Sequence, residues 1–297
     1  MEPWILATLA AALVQTIRFS LQKSLKGAGL SSGGATFSRF LFAAPLALVL
    51  STGLVAGSGA ALPAMGGRFW VMVTTGGLAQ IVATMATVAL FSARNFAVGI
   101  AFTKTETVLV AGFSALVLAE PVSGWGLAAI LVGVAGVLFL SVPVGGRVLA
   151  LFNRASALGL LAGASFGLSA IGYRAATQAL DAEGTLIRAA VTLAAVTSFQ
   201  TVAMALWLRF AEPGEMTRVL GQWRRTALVG VTGMLGSLGW FVAFTLQNAA
   251  YVRALGQIEL VFSVLGSWLI FGERSTRREL IGIGFLGLSI VMLVLLT

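Results

Sequence analysis

The hydrophobic pattern of the chain consists of long apolar runs separated by short polar gaps. Ten runs are near the length of about 20 residues at which a helix crosses the hydrocarbon core of a bilayer. They cover 4–22, 33–52, 69–91, 95–117, 123–142, 156–178, 184–208, 226–246, 249–271 and 279–296. Transmembrane β-strands would alternate in polarity, and these runs do not. The pattern predicts an all-α integral membrane protein with ten transmembrane helices.

Basic residues are unevenly divided between the gaps. The gaps after the first, third, fifth, seventh and ninth runs hold 12 of the 19 Lys and Arg residues, namely Lys23, Lys26, Arg94, Arg147, Arg154, Arg209, Arg218, Arg224, Arg225, Arg274, Arg277 and Arg278. The opposite gaps hold Arg68, and Arg174, Arg188 and Arg253 bring that side to four at most. Because basic loops stay in the cytoplasm, both termini are predicted to face away from it, in a multi-pass protein of the inner (plasma) membrane.

Composition narrows the function classes. The chain is 58% apolar and 10% charged, and it has no Cys and no His. These absences remove thiolate nucleophiles, His general bases and the usual zinc sites, so no metal or cofactor is expected and an enzyme is not favoured. Membrane topology explains the net charge of +9 better than nucleic-acid binding does. The expected partners are the lipid bilayer and a small-molecule substrate, and a homodimer is compatible with the sequence.

The chain repeats itself after 153 residues. Across 46 positions 11 identities align, among them Glu106 with Glu259 and Glu120 with Glu273. The repeats are residues 1–146 and 147–297, with five spans each. Because five is odd, the second repeat must enter the membrane inverted. Inverted repeats place a substrate site near the midplane and allow one repeat to rock against the other, which favours transport over anchoring.

Three segments carry a family resemblance. The early stretch IRFSLQKSLKGAGLSSGGATFSRFLFAAPLAL looks like the first two helices of the family described next, with Lys23 and Arg39 at its customary basic positions. The runs TETVLVAGFSALVLAEPVSGWGLAAILVGVAGVLFL and QIELVFSVLGSWLIFGERSTRRELIGIGFLGLSIVML resemble the repeat of the drug/metabolite transporter superfamily, EamA type. In that repeat a fourth helix ends in a small residue plus Glu, as at Ala119-Glu120 and Gly272-Glu273, and a Gly-rich fifth helix follows. The resemblance implies a permease for small molecules, often an exporter.

The chain departs from the family pattern in two respects. Family members commonly have cytoplasmic termini, opposite to the charge distribution here. A proline frequently follows the positions of Glu106 and Glu259, where this chain has Thr107 and Leu260.

Two carboxylates fall near the middle of predicted spans. Glu106 in span four and Glu259 in span nine would each cost at least about 2.5–3.5 kcal/mol if ionised at the bilayer centre, so each must face a cavity or a partner. In one interpretation they carry protons, because burial favours the neutral acid and an approaching cation favours the charged form. The alternative is a set of permanent structural ion pairs within each repeat. Those pairs would join Glu106 to Arg39 or Arg18, and Glu259 to Arg188 or Arg253.

Lys104 lies two residues before Glu106, so on a helix the two side chains point about 200° apart and are not expected to pair. Lys104 is a candidate contact for an anionic substrate group, and otherwise it pairs or snorkels. Gln257 occupies the equivalent position of the second repeat, so the repeats differ chemically there.

Further polar and aromatic residues are candidates with structural alternatives. Gln80, Thr84 and Thr87 share one face of span three and could line a cavity or join helices by hydrogen bonds. Trp240, Phe244 and Tyr251 could stack on a planar or cationic substrate or pack in the core. Arg18 is a further substrate or coupling candidate, and Arg39 and Arg188 are the expected charge partners.

The sequence predicts a secondary transporter, an exporter of a small metabolite such as an amino acid or a related organic ion, working by alternating access with proton coupling or exchange. One alternative is a facilitator or channel for small organic ions. Another is an integral-membrane enzyme acting on a lipid-linked substrate, against which the short loops argue. A scaffold protein would not need two carboxylates at mid-membrane.

Overall fold

The computed structural model describes residues 2–59, 61–91, 103–141, 154–262, 264–265 and 277–296. Its helices are α1 (Pro3–Gly27), α2 (Ser32–Ser58), α3 (Gly67–Leu90), α4 (Glu106–Leu118), α5 (Gly124–Ser141), α6 (Arg154–Gln178), α7 (Thr185–Ala211), α8 (Glu215–Gly221), α9 (Trp223–Leu246), α10 (Ala249–Gly256) and α11 (Arg277–Leu296). No strand occurs within these ranges.

Six of the described helices are long and apolar enough to cross a membrane, namely α1, α2, α3, α6, α7 and α9. They match the first, second, third, sixth, seventh and eighth predicted spans. The helices α4, α5 and α11 add shorter apolar segments. An all-helical, multi-pass architecture is therefore confirmed, while the total of ten spans stays a prediction.

The helices pack in a reciprocal pattern. Helix α1 lies against α9 and α10, and α6 lies against α3 and α4. Helix α2 packs on α7, and α5 packs on α11. In the predicted repeats α1 and α6 are the first spans, α3 and α9 the third, and α4 and α10 belong to the fourth. Each first span thus contacts the third and fourth spans of the other repeat.

Small residues allow the close approach of α6 and α3. A Cβ added to Gly172 would lie 2.9 Å from Cα of Gly76 and 3.1 Å from the carbonyl oxygen of Met72. In lipid the attraction between helices comes mainly from such tight van der Waals contact, because the acyl chains are as apolar as the side chains.

Helix α9 crosses the bundle antiparallel to its neighbour α1. Gly233 of α9 lies against Arg18, and Gly239 lies against Ala7 and Ala11, nearer the start of α1. The start of α9 therefore lies at the end of the bundle formed by the α1–α2 connection, residues 28–31, which we call the α1–α2 end. The opposite end contains the connection at 247–248 and is called the α9–α10 end.

The helices that carry Glu106 and Glu259 differ from the prediction of continuous spans. A turn at 104–105 precedes α4, which begins at Glu106. Helix α10 ends at Gly256, a turn follows at 257–258, and helical structure resumes at Glu259. Both interruptions form without a proline.

Each carboxylate therefore begins a helical segment. The first N–H groups of a helix lack intrahelical acceptors, and the helix dipole places partial positive charge there. This position favours a negative side chain. A continuous span would have provided no such stabilisation.

Several predicted features lie outside the described residues. These are the start of span four, the last part of span nine, and the positions Arg94, Arg147, Gly272, Glu273 and Arg274.

Replacing Gly172 with alanine should separate α6 from α3. The added Cβ would meet backbone atoms, which cannot rotate away, so we expect a loss of about 1–3 kcal/mol in stability. The measurement is the thermal unfolding midpoint in detergent. The matched control is Gly53→Ala in α2, where a Cβ meets nothing within 4 Å and the higher helix propensity of alanine is neutral or stabilising. Equal midpoints for the two variants would contradict the packing assignment.

Candidate substrate and coupling site

Two buried ion pairs connect the two predicted repeats. Lys104 Nζ pairs with Glu259 Oε1, and Arg253 Nε pairs with Glu106 Oε1. The four side chains are only 10–14% exposed. In both pairs one member belongs to residues 1–146 and the other to 147–297. We call them the crossed ion pairs.

The structure pairs the carboxylates differently from the arrangement expected within each repeat. The physical reason is that the two helix interruptions lie side by side. Gln257 Nε2, in the second interruption, donates a 2.7 Å hydrogen bond to Thr107 Oγ1, next to the first. Lys104 therefore reaches Glu259 across the interface rather than the neighbouring Glu106.

Gln15 of α1 connects this centre to further groups. Its Nε2 donates to Glu259 Oε2 over 2.7 Å, and its Oε1 accepts from Trp240 Nε1 at 3.1 Å and Arg18 Nη2 at 3.3 Å. Gln15 is not among the residues predicted from the sequence. Its one available signal is that it lies nearly one helical turn before Arg18, on the same side of an otherwise apolar span.

Aromatic rings surround the Arg253 guanidinium. Its Cζ lies 4.9 Å from the ring centroid of Trp240, 5.6 Å from Phe166 and 5.8 Å from Phe244. Such contacts stabilise a cation through the negative ring faces. Two of the predicted aromatic candidates, Trp240 and Phe244, therefore line the crossed ion pairs.

Arg18 and Arg39 are buried without a counter-charge. They are 2% and 3% exposed, and neither forms an ion pair with any carboxylate in the described part of the chain. Their hydrogen-bond acceptors are neutral side chains, namely Gln15 and Gln22 for Arg18, and Thr84 and Ser237 for Arg39. Neither Arg39 nor Arg18 is therefore the partner of Glu106 that the interpretation of ion pairs within each repeat predicts, since Arg253 takes that place.

Arg188, the other expected charge partner, lies in the first turn of α7 and also forms no ion pair within the described ranges. Its Nε is buried and has no hydrogen-bond partner there.

Three further candidates form contacts between helices. Gln80 Oε1 accepts from the Tyr173 hydroxyl at 2.5 Å. The Tyr251 hydroxyl accepts from the backbone N–H of Ser123 at 3.0 Å, at the start of α5. Gln257 Oε1 is buried without a hydrogen-bond partner among the described residues. Gln80 and Tyr251 therefore join helices by hydrogen bonds in this structure. Gln257, in contrast, has a side-chain oxygen beside the crossed ion pairs that accepts no hydrogen bond from the described residues.

Polar contacts close the α1–α2 end. The backbone N–H of Ser31 donates to Glu215 Oε1 at 2.6 Å, and its hydroxyl donates to Glu212 Oε2. Arg218 Nη1 forms an ion pair with Glu215 Oε2 at 3.1 Å. We call Ser31, Glu212 and Glu215 the α1–α2 lock.

A second group closes the α9–α10 end. Arg174 donates from Nε and Nη2 to the two oxygens of Glu120, at 2.5 and 2.7 Å, and from Nη1 to the carbonyl oxygens of Phe244 and Gln247. Asn248 Nδ2 donates to the carbonyl oxygen of Glu120 at 3.1 Å. We call Glu120, Arg174 and Asn248 the α9–α10 lock. Both locks join residues of the two predicted repeats, and the crossed ion pairs lie between them.

A surface cleft of about 550 Å³ lies at the α1–α2 end, apart from the buried charges. Ala28 and residues 221–225 line it. Trp223, Arg224 and Arg225 are residue types that anchor helices at a membrane interface, so we do not assign the cleft to the substrate.

The α9–α10 lock should weaken in acid. Burial raises the pKa of the Glu120 carboxyl, but hydrogen bonds from Arg174 and Gln178 and the charge of Arg174 lower it by more, so this pKa lies below the ordinary 4.5. Because the pKa is depressed on folding, Glu120 stabilises the fold fully above about pH 4.5 and loses this contribution as the pH falls further.

We therefore expect Glu120→Gln to lower the thermal midpoint at pH 7, with the gap to the unsubstituted protein closing below pH 4.5. The exposed Glu183→Gln is the control, for which no gap is expected. A gap for Glu120→Gln that stays constant down to pH 3 would contradict the assignment.

Comparison with known proteins agrees with the architecture. The EamA-like transporter family matches residues 153–295. No curated protein matches the chain. One solved structure, described only as "Crystal structure of protein", covers 99% of this chain and 96% of its own with a TM-score of 0.71 and 15% identity, a likeness that shows the fold alone. Residues 153–295 are therefore similar to the EamA-like transporter family, and this match confirms the predicted resemblance for that part of the chain.

Proposed function

We propose that the protein is a secondary transporter that moves a small metabolite by alternating access, with Glu106 and Glu259 as its coupling carboxylates. The family match indicates a membrane transporter of small molecules. The finer proposal is supported by one observation, the crossed ion pairs, in which each of the two carboxylates contacts a cation of the other predicted repeat.

The reciprocal packing supports an inverted repeat of residues 1–146 and 147–297. Helix α1 contacts the third and fourth spans of the second repeat, and α6 contacts the same spans of the first. A pseudo-two-fold axis between the repeats produces this pattern, and it allows two equivalent rocked states around a central site.

Electrostatics provides the coupling in this proposal. Removing one partner of a buried ion pair costs about 3–5 kcal/mol, because the other charge is left uncompensated. The repeats can therefore move apart at Glu106 or Glu259 only when a proton neutralises the carboxylate or a substrate charge takes the place of one member of the pair. Movement of the repeats and binding of the proton or substrate become linked.

The two locks favour a carrier over a facilitator or channel. Ser31 is bound to Glu212 and Glu215 at one end while Arg174 is bound to Glu120 at the other. With both ends closed the central charges are occluded, and a carrier passes through such a state between its two open states. We further propose export across the inner membrane, which the family resemblance implies. The loop charges favour both termini outside the cytoplasm.

The proposal is tested by Glu106→Gln and Glu259→Gln in proteoliposomes, with a substrate found by thermal-shift screening of metabolite classes. Glutamine keeps the size of the side chain but cannot carry a proton. We expect both variants to lose accumulation driven by a pH gradient and to keep exchange of labelled for unlabelled substrate. Glu183→Gln, an exposed carboxylate, should retain both activities. Gradient-driven accumulation at the unsubstituted rate in both variants would contradict the coupling role.

A further inference from the structure

The buried centre carries more positive than negative charge. Lys104 and Arg253 are each paired with a carboxylate, whereas Arg18 and Arg39 are not. Because the crossed ion pairs already use Glu106 and Glu259, two guanidinium groups remain without a counter-charge among the described residues.

The rest of the sequence offers no carboxylate at this depth. The chain has ten acidic residues. Apart from Glu106 and Glu259, all lie in connections or at the ends of predicted spans, namely Glu2, Glu120, Asp181, Glu183, Glu212, Glu215, Glu273 and Glu279. An anion from outside the chain is therefore the available source of negative charge.

The two arginines lie against the same point of α9. A Cβ on Gly233 would be 2.8 Å from Arg39 Cγ and 3.7 Å from Arg18 Cδ. Arg39 is seven residues into α2 from Ser32, about 10 Å below the α1–α2 lock. The pair therefore lies inside the bundle, between that lock and the crossed ion pairs.

Each guanidinium has unused donors. Arg18 donates once from Nη1 and once from Nη2, and so does Arg39. A guanidinium has five N–H groups, so three on each side chain remain without an acceptor in the described part of the chain. A guanidinium fork with free N–H groups suits a carboxylate or a phosphate, and the side chains of two such residues meet at Gly233.

We propose that Arg18 and Arg39 bind the anionic group of the transported substrate, so that the carrier takes organic anions bearing a carboxylate or a phosphate. This inference rests on the proposed transport function. Gln15 joins Arg18 to Glu259, so an anion bound at Arg18 lies one side chain away from a coupling carboxylate.

A purely structural role is the competing account, since Arg39 also joins α2 to α3 and α9 through Thr84 and Ser237. The two accounts predict opposite effects of removing the charge. If Arg39 only joins helices, Arg39→Gln removes its hydrogen bonds to Thr84 and Ser237 and lowers the stability of the protein. An anion site without its anion contains an uncompensated buried charge, so its removal leaves the stability of the empty protein unchanged or higher.

The first experiment measures thermal unfolding of the full-length protein in detergent with succinate or glycerol 3-phosphate, against succinamide and glycerol at equal ionic strength. We expect at least one anion, and neither neutral compound, to raise the midpoint. Arg18→Gln and Arg39→Gln should increase the Kd of that anion by roughly tenfold or more without lowering the midpoint of the empty protein. The exposed Arg209→Gln should behave like the unsubstituted protein.

Other outcomes overturn the inference. The inference is wrong if the anion still raises the thermal midpoint of both glutamine variants. It is also wrong if the glutamine substitutions lower the midpoint in the absence of anion while the anion still raises it. If phosphatidylglycerol raises the midpoint and no soluble anion does, the site binds a lipid headgroup and not a substrate. If a glutamine variant does not fold, Arg18→Lys and Arg39→Lys keep the charge but lose the fork, and the anion shift should still shrink.

Flux in proteoliposomes of zwitterionic lipid separates this inference from the transport proposal. Uptake of the anion that raises the midpoint, lost in Arg18→Gln and Arg39→Gln, supports both. Uptake of only neutral or cationic solutes, unaffected by either substitution, leaves the carrier in place and overturns the anion site. Binding of the anion without uptake of any solute overturns the transport proposal while the site stands.

Discussion

The cost of an isolated charge inside a membrane is the constraint on which the rest of this structure depends. Glu106 and Glu259 cannot remain ionised in hydrocarbon alone, and each is paired with a cation from the other predicted repeat. A pair buried within one repeat would be a fixed structural element. A pair between two bodies makes their separation depend on what else neutralises the charges, and this is the physical basis of the coupling that we propose.

The backbone positions these charges by interrupting two helices. The turns at 104–105 and 257–258 lie next to each other and present both carboxylates at the start of helical segments. Close packing supports the arrangement, since a Cβ on Gly163 of α6 would lie 2.8 Å from the carbonyl oxygen of Thr103. Along α9 the features follow in order, from the arginine pair at Gly233, through Trp240, to the carbonyl groups that bind Arg174. Helix α9 thus contacts the arginine pair, the surroundings of the crossed ion pairs and the α9–α10 lock in turn.

Hydropathy predicted the helical spans, the internal repeat aligned the two central carboxylates, and particular sequence runs indicated the family. All three depend on residue type and spacing along the chain. Pairing depends on the register between helices that are distant in sequence, so the partners of Glu106 and the role of Arg39 were not predictable. The interruptions were missed because hydropathy averages over a window and no proline marks them. The α1–α2 lock was not predicted because Ser31 and Glu212 resemble ordinary connection residues until the fold brings them together.

The central claim is that the two ends of the bundle open in alternation around the crossed ion pairs. Because the chain contains no Cys, spin labels can be placed without background, at Ala28→Cys with Arg209→Cys for the α1–α2 end and at Pro121→Cys with Asp181→Cys for the α9–α10 end. Electron–electron double resonance measures the distance between the two labels of each pair. As pH and substrate are varied, the distance at one end of the bundle should lengthen while the distance at the other end stays short. Both distances lengthening in the same population, or neither changing under any condition, would contradict the account.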